Sequence, residues 1–191
     1  MDRVKDEPYS RLFAVFRRHP ALLVSAFYVA ASVIGMFYAW SYLRQFGLNV
    51  FNYAQISDFL VASLKEPFTW ALVFLSVSLV MLDNLTSLRV ERKGPKKWLR
   101  WYGSPRYRFV NNYVAVIMVM LFIFLYAEYK AGKTQAGEGK FVDVTYADGD
   151  AATSRMLLGT TGQFVFLYDH VTERVEIHPL ESIDSIAFQA D

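Results

Sequence analysis

Histidine is the side chain most readily used for proton transfer near neutral pH, and it occurs three times here, as His19, His170 and His178. His170 follows Asp169 in a turn-like stretch and His178 precedes Pro179, so neither stands at the spacing of a metal or catalytic pair. The absence of cysteine removes thiolate nucleophiles, disulfides and sulfur-based metal sites. No HExxH, GxSxG or phosphate-cradling glycine loop appears. Asp148-Gly149-Asp150 has the composition of a turn and lacks the acid spacing of a calcium loop. The chain therefore reads as a non-enzyme, with no catalytic, cofactor-binding or metal-binding residues expected.

Charge and aromaticity offer a different chemistry. Residues 86–108 carry eight basic side chains against one acid, Glu91, and they are interleaved with Trp98, Trp101, Tyr102 and Tyr107. Arg92, Lys93, Lys96, Lys97, Trp98, Arg100 and Trp101 are the candidate lipid- or partner-binding group. Each basic residue beside an anionic leaflet contributes about 1 kcal/mol. Basic and aromatic residues also suit nucleic acid, but this cluster is pinned between two apolar runs, so anionic headgroups are the expected partner and nucleic acid is not.

The elements that must position these residues follow from three charge-free runs. They lie between Arg18 and Arg44, Glu66 and Asp83, and Arg108 and Glu128, and hold 25, 16 and 19 residues. About 20 apolar residues in a helix cross a ~30 Å hydrocarbon core. Inside lipid the backbone must pair within its own segment, so each run is a helix. The composition agrees, with 54% hydrophobic and 17% aromatic residues. The expected fold is a membrane α-helical protein of three transmembrane helices, with a small C-terminal all-β domain, an SH3-like barrel or five-stranded meander.

The expected organisation is a cytoplasmic amphipathic helix over 1–19 and a three-helix membrane domain over 20–130. Spans fall at about 20–43, 67–86 and 109–129, separated by an outer interfacial loop, 44–66, and a basic inner loop, 87–108. The N-terminal helix carries Tyr9, Leu12, Phe13 and Phe16 at helical spacing beside Arg11, Arg17 and Arg18. The first apolar run is too long for a cleavable leader and is expected to be retained.

Within the spans, Ala26, Ala30, Ala31 and Gly35 form a small-residue face suited to helix contacts. Gly35, Ser76, Ser78 and Asp83 are the candidate oligomer or pore-lining residues, with Asp83, Glu66 and Glu128 candidates for charged rings. The span centres hold no ionisable side chain, which disfavours proton relays, coupled transport and voltage sensing. In the outer loop Ser57 is the expected N-cap of a helix, with Ile56, Phe59, Leu60 and Leu64 as its packing stripe. The polar content of 46–64 argues against a fourth span.

A polar linker is expected over 131–139. Over 140–191, five β-like runs are punctuated by Asp148-Gly149, Thr161-Gly162, Asp169-His170 and His178-Pro179. Residues 1–108 carry 15 Lys/Arg against 7 Asp/Glu, whereas 131–191 carry 4 against 10. Basic residues near spans stay on the cytoplasmic side. The reading is a bacterial inner-membrane protein with its N-terminus cytoplasmic and its β domain periplasmic. The expected function is that of a self-associating, non-catalytic anchor, sensor or assembly module acting through the β domain. A small homo-oligomeric ion channel is the alternative, and a membrane subunit recruiting a cytoplasmic effector in a stress or defence system is the second.

Overall fold

Pro20 opens the first helix at a position where its missing N–H costs nothing. In the computed structural model, which describes residues 18–92, 99–102 and 104–188, helix α1 runs over Pro20–Arg44. It closes with Gly47 at φ +73°, where Gly47 N–H reaches the Arg44 carbonyl (3.0 Å) and Leu48 N–H the Leu43 carbonyl (3.1 Å). That pair of bonds is a Schellman-type stop, which needs a left-handed residue and so favours glycine.

After a single 3-10 turn at Val50–Asn52 comes helix α2, Ile56–Lys65. Ten residues span about 15 Å, half of a hydrocarbon core. Its N-cap is Gln55, whose backbone N–H donates to Asp58 Oδ2 at 2.8 Å, so Ser57 lies inside the helix and not at its cap. Helix α3, Pro67–Arg92, begins two residues after α2 ends. The break at Glu66 is bridged by Trp70 Nε1, which donates to the Ser63 carbonyl at 2.9 Å.

Helix α4, Pro105–Gln135, is capped by the Ser104 hydroxyl accepting from Tyr107 N–H (3.2 Å). Among the described residues, α1, α3 and α4 are the three helices long and apolar enough to cross a membrane. Both α3 and α4 outrun the spans expected for them, so much of the inner loop is helical. The flexible linker over 131–139 is likewise corrected, since α4 continues to Gln135 with Ala131 and Thr134 buried. Its stop repeats that of α1: Gly137 at φ +89°, with Gly137 N–H on Thr134 O and Glu138 N–H on Lys133 O. The amphipathic helix expected before residue 18 lies outside the described residues.

The five expected β runs are all strands: β1 Phe141–Tyr146, β2 Ala151–Thr160, β3 Phe164–Asp169, β4 Arg174–Pro179 and β5 Ile183–Phe188. They form one antiparallel sheet of order β4-β3-β2-β1-β5. The first four are a meander and β5 returns to β1, leaving the sheet open between β4 and β5. Turn chemistry explains the breaks. Asp148 Oδ1 accepts from Asp150 N–H (3.1 Å) beside Gly149 at φ +91°. Asp169 Oδ1 accepts from Val171 and Thr172 N–H at 2.9 and 3.3 Å.

Strand alternation places the two halves of β3 in different cores. Val165 and Leu167 join Val142 and Val144 in a core internal to the sheet. Phe166, one residue out of phase, is buried with Tyr38, Tyr42, Leu43, Val50, Phe59 and Ile123. The sheet thus shares a hydrophobic core with the helices.

Candidate functional site

Within the C-terminal half of α3, where it faces the start of α4, Asp83 is the centre of a polar hub. Its carboxylate accepts from Tyr102 OH at 2.9 Å, Tyr107 OH at 3.1 Å and Asn111 Nδ2 at 2.9 Å. One turn of hydrogen bonds away, Asn84 Nδ2 donates to Asn112 Oδ1 (2.9 Å), and the buried Ser87 hydroxyl donates to the Tyr102 carbonyl (2.6 Å). Helical spacing on α4, with Tyr102 just ahead of it, brings these donors to one carboxylate, which is thereby paired within the chain. Asp83, expected as a candidate oligomer or pore-lining residue, is half-buried, with its carboxylate on Tyr107 and Asn111 of α4 and on Tyr102.

At the opposite end of the helices, Glu66 forms an ion pair with Lys130 and accepts from Tyr126 OH (3.3 Å). Tyr42 OH and Thr134 Oγ1 lie 3.1 Å apart, and Gln135 Nε2 donates to the Gln45 carbonyl (3.1 Å). The Glu66 contacts tie the α2–α3 junction to α4, and the Tyr42 and Gln45 contacts tie the end of α1 to the end of α4.

The β domain is seated on this end by aromatic packing. Tyr53 meets Phe164 and Phe166 edge-on, with ring centroids 5.3 and 5.9 Å apart, and Phe46 meets Tyr168 at 5.1 Å. Asp58 Oδ1 of α2 accepts from Gly162 N–H at 3.0 Å.

Away from that seat, the β domain carries an open cleft of about 690 Å³ lined by Tyr146, Asp148, Asp150, Arg155, Glu176, His178 and neighbouring residues. Arg155 reaches Asp169 at 2.9 Å and Glu176 at 3.5 Å, and its Nε is buried without a partner. His178 Nε2 lies 3.2 Å from Tyr146 OH and 3.5 Å from Glu176. Burial first, then the Glu176 charge, pushes the Tyr146 phenol up, so it stays protonated. Burial alone would raise the Asp169 carboxyl. The Val171 N–H, the Thr172 side chain and N–H, and Arg155 outweigh it and hold that carboxyl below the usual range. The Ser182 hydroxyl is committed to the Pro179 carbonyl (2.7 Å). The cleft offers charge and hydrogen-bonding groups suited to recognition.

The cleft was not legible in the sequence, because its residues come from β1, β2, the turn between them, β4 and the 3-10 turn at Leu180–Ser182. Only pairing such as Phe141↔Met156 and Leu167↔Glu176 brings them together. A basic residue inside the second β run, Arg155, was the one available signal.

The remaining expected site residues are distributed as follows. Gly35 is buried against α2 within the same chain. Of the α2 stripe, Phe59 is buried and Leu60 half-buried, while Ile56 and Leu64 are exposed within this chain (69% and 60%). The α1-facing side of α2 is Phe59 and Ser63, four residues apart. Ser76 is half-buried and Ser78 exposed on α3. Arg92, Arg100 and Trp101 are exposed, while Lys93, Lys96, Lys97 and Trp98 lie outside the described residues.

Together the fold and site define a membrane-protein class: three potential spanning helices carrying a docked five-stranded antiparallel sheet. Comparison with family models, curated proteins and solved structures finds no match to the chain.

Proposed function

We propose that the chain is a non-catalytic integral membrane protein that self-associates and works as an anchor, sensor or assembly module through its β domain. The observation that carries this reading is the shared core: Phe166 of the sheet is buried in one cluster with Tyr42 of α1, Phe59 of α2 and Ile123 of α4. A domain held in that way reports displacement to the helices, whereas one on a free tether does not. The cleft around Arg155 and His178, facing away from the seat, is the recognition surface.

The strand order, with a 3-10 turn at Leu180–Ser182 immediately before β5, supports an SH3-like relationship for the sheet. Exposed arginines at the α3–α4 turn and an acidic β domain at the other end support a cytoplasmic turn and a periplasmic sheet in a bacterial inner membrane. A second reading, a small homo-oligomeric channel, draws support from Ser78, a hydroxyl exposed on an otherwise apolar face of α3.

The test is the mass of the detergent-solubilised chain by native mass spectrometry, followed by conductance in liposomes. A defined oligomer without conductance supports the assembly module. A conducting oligomer favours the channel, and a monomer overturns self-association.

A further inference from the structure

We propose that the adjoining ends of α3 and α4, with residues 99–102, form a binding platform for the phosphate-bearing headgroups of anionic lipids, built from Arg89, Arg92, Arg100 and Arg106 with Trp101 as its interfacial anchor. The inference rests on the reading that the helices lie in a bilayer and adds a lipid class to it.

Charge comes first. Glu91 is the one acid between residues 86 and 108, and Arg108 takes it at 2.8 Å. Arg108 is largely buried in doing so, with 17% of its side chain exposed. Arg89, Arg92, Arg100 and Arg106 are all exposed, and among the described residues none forms an ion pair with an acid. Four exposed guanidiniums without an acid partner among the described residues, at one end of an apolar hairpin, favour phosphate, which the planar fork binds in bidentate fashion.

The aromatic anchor is the second observation. Trp101 is 65% exposed, although its ring packs against Tyr107 with centroids 4.8 Å apart. The turn behind it is fixed: its carbonyl accepts from the Ser104 hydroxyl (2.6 Å) and N–H (3.0 Å), and Tyr102 beside it points into the Asp83 hub. The indole is exposed, as are Leu85 of α3 and Phe109 and Val110 in the first turns of α4. An apolar belt bordered by tryptophan and arginine fits an amphiphile with an anionic head, as interfacial belts do. Asp83 is the positioning residue, because it holds Tyr102 and Tyr107 inward while the arginines face out.

The experiment places the full chain in phosphatidylcholine vesicles with trace spin-labelled phosphatidylglycerol or phosphatidylcholine. The motionally restricted fraction of each label is read by electron paramagnetic resonance. Flotation with plain phosphatidylcholine vesicles checks membrane insertion independently, so failure of insertion and failure of selectivity are distinguishable. The expected result is a preference for the anionic label of about fivefold or more at low salt, the effect of one headgroup-level charge. That preference shrinks as salt rises. Replacing all four arginines with glutamine moves the ratio towards parity. Should that variant fail to insert, Arg100→Gln alone lowers the ratio. Equal retention of both labels by the wild type, or a ratio unmoved in an inserted variant, overturns the proposal. Displacement of the anionic label by millimolar inorganic phosphate at constant ionic strength also overturns it, because that marks a soluble-anion site.

Discussion

Gly35 of α1 and Phe59 of α2 meet with no room for a side chain between them. A Cβ on residue 35 would stand 1.8 Å from the Phe59 carbonyl oxygen and 2.9 Å from Ser63 N. Both obstacles are backbone atoms of a helix, which cannot step aside as a flexible side chain can. Gly35→Ala is expected to lower stability by about 1–3 kcal/mol, the usual cost of overpacking. The unfolding midpoint in detergent checks it. Gly132→Ala is the matched control: that glycine sits inside α4 with nothing within 4 Å of its added Cβ. There the change is expected to stabilise by about 0.5–1 kcal/mol through helix propensity. Equal effects at the two sites would refute the close-approach account.

The hub makes Asp83 sensitive to the kind of replacement. Asp83→Leu removes the carboxylate that accepts from the Tyr107 hydroxyl and the Asn111 amide, whereas Tyr102 keeps the Thr86 hydroxyl as a partner. A half-buried donor left without its acceptor costs about 1 kcal/mol, the low end for a stranded donor. Asp83→Asn keeps one carbonyl oxygen and is expected to be milder. Hydrogen exchange over residues 104–112 is the readout, faster in the leucine variant than in the asparagine variant.

Tyr53 holds the sheet through two edge-on aromatic contacts, each worth about 0.5–1.5 kcal/mol beyond burial. Tyr53→Ala is expected to weaken docking by about 1–3 kcal/mol in sum. Exchange should rise in β3 at Phe164 and Phe166 and stay unchanged at Val142 and Val144, which belong to the separate sheet core. A uniform rise over all five strands would mean that the domain itself had unfolded.

Asp169 gives the β domain an acid limb. Its carboxyl is held below its ordinary value in the fold, despite burial, by Val171, Thr172 and Arg155. A depressed folded value contributes stability fully above the unfolded pKa of about 3.9 and loses it as pH falls through the folded one. The thermal midpoint is therefore expected to drop below about pH 4. In Asp169→Asn the midpoint should be lower at pH 7 and this acid-side slope shallower. A wild-type midpoint flat from pH 5 to pH 2 would rule this out.

Some of this architecture is local and was readable residue by residue. The three apolar runs are helices because a backbone in lipid has to satisfy its own hydrogen bonds, and run length alone reports that. The strands follow from alternation such as Val142, Val144 and Tyr146, and their ends from Asp148-Gly149 and Thr161-Gly162, whose short side chains and permissive glycine make turns. Boundaries were less legible. Past residue 130 the polar, glycine-bearing stretch looks like a linker, but Thr134 bonds to Tyr42 and draws the helix on to Gln135.

What the sequence by itself determined is thus the set of elements, the membrane-length helices and the open question of what the charged turn touches. What only the tertiary structure decided is which faces meet. Gly35 faces α2 of its own chain, Asp83 turns inward to tyrosines, and Asp58 reaches Gly162 across 104 residues of sequence. Secondary structure depends on neighbours a few residues apart, so a sequence carries it openly. Side-chain partners depend on how whole elements pack, and there a glycine without a side chain or a single well-placed carboxylate settles what periodicity leaves free.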